Sequence, residues 1–349
     1  PSGRWLGTIT YPRLLTLWER FRHTGNQRPN AFEEAVAALI MRYRYDPAQQ
    51  DRKAMPMHQV SLPAGTVAAI VQCLRVTQAV HIREMFASPL NSSTAAHEYW
   101  TRDPADGAFG ALHDAYQTAW TGLQYAHPPS TPHDARKALM WALACAEAMR
   151  DSQEPTLTVL ALPKAATFPH TQWLQHPLCH ELANWSAGTA GLDTGLGTNT
   201  QAERQKGLRL VIVGNPAGLQ CFAPRLKRLV DTLKRGANAP THISDPRTWT
   251  HTATAPTCPA LPNSLLKQAK YQHANPKTIH AMADEARRFP NARFQTHHAL
   301  AHDVNGTVWT DGSVSKIKTD NGKEVQVAGA CAWFSDSRVV YVNPNGAGC

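Results

Sequence analysis

In the first 75 positions of the chain, three stretches show apolar residues spaced as on one face of an amphipathic helix. Apolar side chains recur every three to four positions between Tyr11 and Phe21, between Phe32 and Tyr43, and between Val67 and Leu74. This spacing predicts three helices. We therefore expect a helical domain over residues 1–79.

The pattern then changes to short apolar runs separated by helical stretches. Strands are predicted from Ala79 to Phe86, from Thr156 to Pro163 and from Leu208 to Val213, and a helix is predicted from Ala135 to Arg150. Strands that alternate with helices are typical of an α/β fold. We expect this α/β domain to span residues 80–235.

Two further segments follow the α/β domain. Residues 236–302 are rich in Pro, Thr, His and Ala, with one helical stretch near Pro276–Phe289, and are predicted to be a linker. Residues 303–349 return to strand-like patterns. The turn Gly214–Gly218, after the strand at Leu208–Val213, is interpreted as a hairpin connection, and a helix is predicted to follow it from Pro224 to Arg235.

Two short stretches contain the residues best suited to chemistry. The first, Phe86–Asn91, follows a predicted buried strand, and ligands of α/β sheets bind beyond the carboxyl ends of strands. The second is the corner His127–Ser130, whose two consecutive prolines close another predicted strand. Thr131-Pro132-His133-Asp134 follows with the form of a capping box, so the expected order is strand, Pro-Pro corner, helix and strand. An acceptor side chain, a carbonyl on a rigid proline backbone and an aromatic ring can together hold the exocyclic amine of an extruded adenine.

These stretches resemble a known family. Phe-Ala-Ser-Pro-Leu-Asn at 86–91, Asp-Gly-Ala-Phe-Gly at 106–110, the Pro-Pro corner and the strand Leu157–Pro163 are similar to the phosphorylated-CTD-interacting factor WW-domain family. That family comprises cap-specific adenosine N6-methyltransferases and relatives embedded in retroelement polyproteins. The resemblance covers roughly residues 1–235.

The resemblance implies a class I, Rossmann-like methyltransferase domain that uses S-adenosyl-L-methionine to methylate the cap-adjacent adenosine of mRNA. The implied cofactor-binding residues are Phe86, Ala87, Ser88, Pro89, Leu90 and Asn91, and the implied catalytic residues are His127, Pro128, Pro129 and Ser130. The implied partners are RNA, including capped mRNA, and the phosphorylated CTD of RNA polymerase II.

The corner departs from the family pattern at both ends. His127 stands where the family has Asn or Asp, and Ser130 stands where it has an aromatic residue. A neutral imidazole can still accept one N6 proton, but serine cannot replace a stacking contact worth about 1–3 kcal/mol per base. Tyr125 or an aromatic residue from a nearby loop is a candidate replacement. The alternative function is a non-catalytic module that binds RNA or the phosphorylated CTD, although this stretch contains no Trp-Trp WW module.

The last 45 residues resemble the beginning of a ribonuclease H domain. Thr310-Asp311-Gly312-Ser313 is similar to its opening motif, and the strands Ala328–Phe334 and Arg338–Val342 follow in a β-meander. Asp311 matches the first of four carboxylates that hold two Mg²⁺ ions, and the family cuts the RNA of an RNA–DNA hybrid. The other carboxylates are expected beyond Cys349. We therefore expect a retroelement-polyprotein fragment whose ribonuclease H portion is incomplete and inactive.

The overall composition adds three constraints. A net charge of +9 favours a polyanionic partner such as RNA or DNA. Seven cysteines without a C-x-x-C pair favour a reducing compartment, and no apolar run is long enough to span a bilayer, so a nuclear or cytoplasmic location is expected. His170, His176, Cys179 and His180 are the only grouped zinc-type ligands, and their spacing fits no established finger.

Overall fold

The protein consists of two compact units, Pro1–Arg287 and Arg288–Cys349. The computed structural model describes residues 9, 11–24, 31–44, 62–74, 82–93, 96, 98–164, 169–188, 191–193, 201–203, 207–236, 239–246, 249, 258–276, 314–318, 324–328, 332–335 and 338–341. Among these residues, no helix combines the length and the apolar character needed to cross a membrane.

The first unit is α/β. Its helices are α1 (Tyr11–His23), α2 (Ala31–Arg44), α3 (Ala64–Leu74), α4 (Pro132–Ala148), α5 (Pro216–Arg235) and α6 (Asn263–Ala274). Its main-sheet strands are β1 (Ile82–Met85), β2 (Glu98–Thr101), β3 (Leu112–His113), β4 (Leu123–Ala126), β5 (Leu157–Pro163), β6 (Cys179–Trp185), β9 (Leu208–Gly214) and β10 (His242–Ile243). A separate hairpin pairs β7 (Gly191–Asp193) with β8 (Gln201–Glu203).

The eight main strands form one mixed sheet in the order β10-β6-β9-β5-β4-β1-β2-β3. The five strands from β3 to β5 are parallel, whereas β9 runs antiparallel to both β5 and β6. Every residue of β4 and β5 is buried, as expected for central parallel strands covered on both faces. The α/β class predicted from the sequence is confirmed, and the mixed sheet is compatible with a Rossmann-like fold.

The central segment follows the predicted order of strand, Pro-Pro corner, helix and strand. Thr131 is the N-cap of α4, with Pro132 at the first helical position, and its hydroxyl accepts from the Asp134 backbone N–H at 3.1 Å. The apolar stripe of this helix is buried, including Ala135, Ala138, Leu139 and Ala142. The capping residues and the apolar stripe therefore form the helix that the sequence predicts.

The N-terminal helices share their core with the sheet unit. Leu17, Phe21 and Leu39 of α1 and α2 pack in one cluster with Leu90 and Phe109, which belong to loops of the sheet. Two short helices cannot bury enough apolar surface by themselves, so this shared cluster supplies the rest. Residues 1–79 were expected to be a separate helical domain, but the described helices belong to the same compact unit as the sheet.

Part of the segment expected to be a linker is also folded into the first unit. β10 pairs antiparallel with β6, and α6 packs along α4 with Ala269 fully buried. Residues 236–302 were predicted to be a linker without a helix at 263–274, because the apolar residues that α6 buries are sparse and its surface is polar. The helix predicted at Pro276–Phe289 lies outside the described residues apart from Pro276.

The turn after β9 also differs from the expectation. Asn215 is the N-cap of α5, with Pro216 at the first helical position, so this 20-residue helix begins directly after β9 and not at the predicted Pro224, and Gly214–Gly218 is not a hairpin connection. Gly218 is required here because a Cβ atom would lie 2.1 Å from the Thr156 carbonyl oxygen. The sequence signal for this helix start was an Asn-Pro pair, which is also common in turns.

The second unit contains two antiparallel hairpins in its described part. β11 (Val314–Lys318) pairs with β12 (Glu324–Ala328), and β13 (Ala332–Ser335) pairs with β14 (Arg338–Tyr341). The last pair overlaps the strands predicted at Ala328–Phe334 and Arg338–Val342, and β13 extends one residue further, to Ser335. Asp311 and the rest of the motif 310–313 lie outside the described residues.

Candidate functional site

The parallel part of the sheet has one topological switch point. From β1 the strand order runs outward through β2 and β3 on one side and through β4 and β5 on the other. In open α/β sheets, ligands bind beyond the carboxyl ends of the strands at such a point. The candidate site therefore lies beyond the ends of β1 and β4.

Both stretches selected from the sequence meet at this point. Met85 and Ala126 are paired residues at the ends of β1 and β4. Phe86 and His127 follow them directly, so the two backbone segments leave the sheet next to each other. The Phe86–Asn91 loop and the His127–Ser130 corner thus border one edge of the sheet, although about 40 residues separate them in sequence.

The backbone at Phe86 is unusual. Its φ of 66° lies in the left-handed region, which a bulky residue adopts at a cost of about 1–3 kcal/mol. The next residue, Ala87, returns to the sheet by donating its N–H to the Trp100 carbonyl at 2.9 Å. Strained residues of this kind are concentrated at functional sites, which supports a role for this loop in binding.

The remaining residues of the loop hold its shape. The Asn91 side-chain oxygen accepts from the Ser88 N–H at 2.7 Å, and Ser88 Oγ lies 3.0 Å from the same oxygen. Pro89 is buried, and Leu90 is 1% exposed in the cluster formed with α1 and α2. Among the six residues implied for cofactor binding, Leu90 is therefore a core residue, and Ser88 and Asn91 form a turn.

The corner residues differ in their accessibility. His127 is 8% exposed and Pro128 is buried, whereas Pro129 and Ser130 are half-buried. α4 begins two residues after Ser130, so the positive end of its helix dipole faces the corner. The corner therefore presents a mostly buried imidazole and two rigid prolines at the start of a helix.

Aromatic residues surround Phe86. Its ring lies 5.3 Å from that of Tyr116 and 5.6 Å from that of Trp120. Tyr125, suggested above as a replacement for the missing stacking residue, is 2% exposed in the sheet core and is not accessible to a base. Phe86 and Tyr116 are half-buried and are the better-placed aromatic side chains.

A charged network that sequence reasoning missed fixes the loop after β2. The fully buried Asp106 carboxylate accepts from the Arg42 guanidinium and from the Tyr43 and Thr101 hydroxyls. Asp103 lies 3.1 Å from Arg42 Nε, and burial raises the pKa of Asp103 to about 6, with Arg42 opposing the rise. Helix α2 is thereby fastened to the loop at the carboxyl end of β2.

The loop after β2 contains a 3-10 helix, Pro104–Phe109, which includes most of the Asp-Gly-Ala-Phe-Gly motif at 106–110. Phe109 is 1% exposed in the shared cluster, and Gly110 ends the turn with a φ of 76°. Only glycine adopts this conformation at no steric cost, which explains the glycine at position 110. In the motif, Asp106 binds α2 through its charge, Phe109 packs in the apolar cluster and Gly110 makes the turn. Its residues support the site and do not point to chemistry of their own.

A second ionisable group lies beneath the loop after β1. Glu84 is 5% exposed, and its carboxylate accepts from the Ser93 N–H at 2.6 Å. Burial raises the pKa of Glu84 from 4.5 to about 7, with the Ser93 bond and the nearby Arg20 and Arg13 opposing the rise. Arg20 and Arg13 of α1 also donate to Ser92, at its Oγ and its carbonyl oxygen.

The Glu84 carboxyl group predicts a pH-dependent stability. A carboxyl whose pKa is raised on folding stabilises the fold below about pH 4.5, and this contribution is lost as the pH rises through 7. Glu84→Gln keeps an acceptor for Ser93, so we expect it to raise the free energy of unfolding at pH 8 by about 1–3 kcal/mol. At pH 5 the gain should be much smaller. Urea unfolding at both pH values measures this difference.

Glu34→Gln, on the exposed surface of α2, is the matched control and should change stability equally little at both pH values. An equal effect of Glu84→Gln at pH 5 and pH 8 would contradict the assigned titration.

The histidine-rich segment has other contacts. His176 Nε2 lies 3.2 Å from Glu147, and the His180 ring stacks on Trp249 with centroids 4.5 Å apart. Cys179 is buried, and burial raises the pKa of its thiol. In the described part of the chain, no three His, Cys, Asp or Glu side chains are grouped to hold a metal ion.

A scan against protein-family models gives no match, and a search of curated proteins finds none that matches. The functional assignment therefore depends on the sequence motifs and the geometry of the site.

Proposed function

We propose that the first unit is an S-adenosylmethionine-dependent adenosine N6-methyltransferase-like domain that acts on RNA. The observation that carries the proposal is the meeting of Phe86–Asn91 and His127–Ser130 at the topological switch point. The two stretches were selected from the sequence for complementary parts of one reaction. The reversed strand β9 also agrees with the class I methyltransferase sheet that the family resemblance implies.

The chemistry of the site suits a cationic methyl donor. Neither stretch contains Lys or Arg, so a sulfonium would meet no like charge from these residues. The half-buried Phe86 ring offers an apolar surface for an adenosyl group, and the turn held by Ser88 and Asn91 keeps the loop in one conformation. When bound, S-adenosylmethionine supplies the electrophilic methyl group.

The corner residues would hold the acceptor amine. The His127 imidazole, as a neutral ring, accepts one N6 proton, and the Pro128 carbonyl accepts the other. Both prolines limit backbone motion, which keeps the amine aligned with the methyl group. Ser130 provides no stacking surface, so we expect the native corner to bind adenine weakly.

A non-catalytic RNA-binding or phospho-CTD-binding module remains the second candidate. The burial of Tyr125 favours it, because that residue cannot replace the aromatic contact that is missing at Ser130. For the second unit, we retain as a proposal a ribonuclease H-like portion, in which Asp311 matches the first carboxylate.

Cofactor binding and methyl transfer separate the two candidates. Calorimetry of the full chain with S-adenosylmethionine should give saturable binding under the methyltransferase proposal. Radiolabelled methyl transfer is then measured with capped and uncapped RNA that begins with adenosine. Absence of cofactor binding removes the enzyme proposal, and binding without transfer favours a degenerate site.

Restoring the corner should raise methyl transfer. In the double variant His127→Asn/Ser130→Phe, the amide and the ring supply the acceptor and the stacking surface, so we expect a rate about 10- to 100-fold higher. The control His133→Asn changes an exposed histidine in the first turn of α4 and should leave the rate unchanged. If the double variant binds cofactor normally but is no faster, the corner is not the limiting defect.

A further inference from the structure

Helix α6 packs on α4, near the edge of the sheet where the candidate site lies. Gln272, in its last turn, donates to the Tyr116 carbonyl at 3.0 Å. The Tyr116 ring contacts Phe86 on one side and lies beneath the Lys137 ammonium, 4.1 Å from the ring centroid. Lys137 belongs to the second turn of α4, the helix that begins directly after the His127–Ser130 corner. The C-terminal end of α6 is therefore next to the first turns of α4.

The exposed side of α6 is basic and contains an accessible aromatic residue. Tyr271 is 69% exposed, and Lys267 and Lys270 are also exposed. Lys267 and Tyr271 are four residues apart, so they lie on the same face of the helix. α6 has no Asp or Glu along its whole length.

The first turns of α4 add further positive charge. Arg136 and Lys137 are exposed, and the Arg136 guanidinium lies 5.0 Å from the centre of the Trp173 ring. Their one acidic neighbour in the first turn, Asp134, receives a hydrogen bond from the Thr131 hydroxyl at 2.6 Å as part of the helix cap. Lys267, Lys270 and Tyr271 together with Arg136 and Lys137 form what we call the α4–α6 basic surface.

This combination suits one class of partner. Single-stranded nucleic acids bind surfaces on which cations contact the phosphates and an exposed aromatic ring stacks on a base. A rigid duplex keeps its bases stacked inside and offers no free base to Tyr271. Tyr271 is 69% exposed, so its ring is accessible for such a contact, and the neighbouring Gln272 binds the Tyr116 carbonyl beside the candidate site.

We propose that the α4–α6 basic surface binds single-stranded RNA and leads it to the corner His127–Ser130, with Tyr271 stacking on one base. The proposal assigns a role to a helix in the segment that the sequence had suggested to be a linker. Its second half, delivery to the corner, rests on the proposed methyltransferase function. RNA binding at Tyr271 does not depend on that function.

The proposal is tested by RNA affinity of the full chain. Fluorescence anisotropy with a short labelled single-stranded RNA should show that Tyr271→Ala raises the Kd about 5- to 100-fold, whereas Tyr271→Phe keeps most of the affinity. The matched control is Tyr11→Ala, because Tyr11 on α1 is 70% exposed and differs mainly in its location. Each variant is first checked by circular dichroism and thermal unfolding.

Charge is tested separately through salt dependence. Lys267→Ala/Lys270→Ala should reduce the slope of log Kd against log salt by about 1.4, since each phosphate contact on a single strand contributes about 0.7. Arg228→Ala/Lys234→Ala on α5 removes two exposed cations elsewhere and should leave the slope largely unchanged.

The outcomes distinguish this proposal from the enzyme assignment. Three results would contradict RNA binding at the α4–α6 basic surface. They are an equal loss of affinity for Tyr11→Ala and Tyr271→Ala, a loss only in the α5 variant, and equally tight binding of a duplex that Tyr271→Ala does not affect. Calorimetry with S-adenosylmethionine on the same preparations tests the methyltransferase proposal independently. RNA binding that depends on Tyr271 in a protein without cofactor affinity would retain the surface and reject the enzyme.

Discussion

Replacing Asn215 with alanine is expected to lower the free energy of unfolding by about 3–5 kcal/mol. The side chain is fully buried and makes five hydrogen bonds. The two protons of its amide nitrogen are shared among the carbonyl oxygens of Met149, Ser152 and Glu154, at 2.9, 3.3 and 2.9 Å. Its oxygen accepts from the N–H groups of Thr156 and Gly218 at 2.9 and 2.8 Å.

The expected loss is large because alanine leaves backbone groups without partners. The segment between α4 and β5 has little regular structure, so Asn215 replaces the hydrogen bonds that a strand or helix would otherwise supply. A buried N–H or C=O without a partner costs about 1–3 kcal/mol. Because β5 follows this segment and pairs with β4, loosening it also weakens the centre of the sheet.

Two further variants identify the source of the effect. Asn215→Ser keeps an acceptor for the Gly218 N–H but loses the contacts to the segment before β5, so it should remain markedly destabilising. Thr131→Ala removes an exposed helix cap on α4 and should cost only about 1 kcal/mol. If Asn215→Ala costs no more than Thr131→Ala in urea unfolding, Asn215 acts as an ordinary cap.

Asp106→Ala is expected to have a comparable effect, about 3–5 kcal/mol. The substitution leaves the Arg42 guanidinium, whose side chain is 11% exposed, without its main counter-charge. It also removes the acceptor of the Tyr43 and Thr101 hydroxyls. The remaining carboxylate, Asp103, already contacts Arg42 and cannot satisfy all three donors.

A double-mutant cycle tests the coupling between α2 and the loop after β2. Arg42→Met and Asp106→Ala together should cost less than the sum of the single variants, because the double variant leaves no buried charge uncompensated at this pair. The control pair Lys227→Met and Asp231→Ala, on the surface of α5, should be nearly additive. Additive losses at Arg42 and Asp106 would show that the ion pair does not fasten α2.

The Asp106 result also concerns the candidate site. The loop fixed by Asp106 ends at Gly110, and the Tyr99 hydroxyl donates to the Phe109 carbonyl at 2.7 Å. Tyr99 packs with Ala87 of the loop after β1. Tyr99 therefore connects the loop that Asp106 fixes with the Phe86–Asn91 loop, so Asp106→Ala is expected to disturb both.

The sequence alone was sufficient for features that local patterns encode. The stretch from β4 to β5 was predicted because a buried strand, two prolines, a capping threonine and an apolar stripe occur consecutively. The strand predicted at Leu208–Val213 from its apolar run is confirmed as Leu208–Gly214. In each case the residues that specify the element lie within the element or next to it.

Other features could not be predicted because their partners are distant in sequence. Arg42 and Asp106 are 64 residues apart, and Asn215 contacts backbone groups 59 to 66 residues away. α6 was interpreted as linker because its composition is polar, and its packing on α4 provides the apolar partner that its sequence does not reveal. Likewise, Tyr125 was a plausible stacking residue until the sheet placed it in the core.

For this protein, the sequence by itself determined the α/β class, the order of the central elements and the two stretches with suitable chemistry. Only the tertiary structure decided that those stretches meet, because the strand order places β1 beside β4 and no local pattern encodes strand order. It also decided that α1 and α2 support the site, since the residues that fasten them are buried ions and apolar side chains from separate parts of the chain.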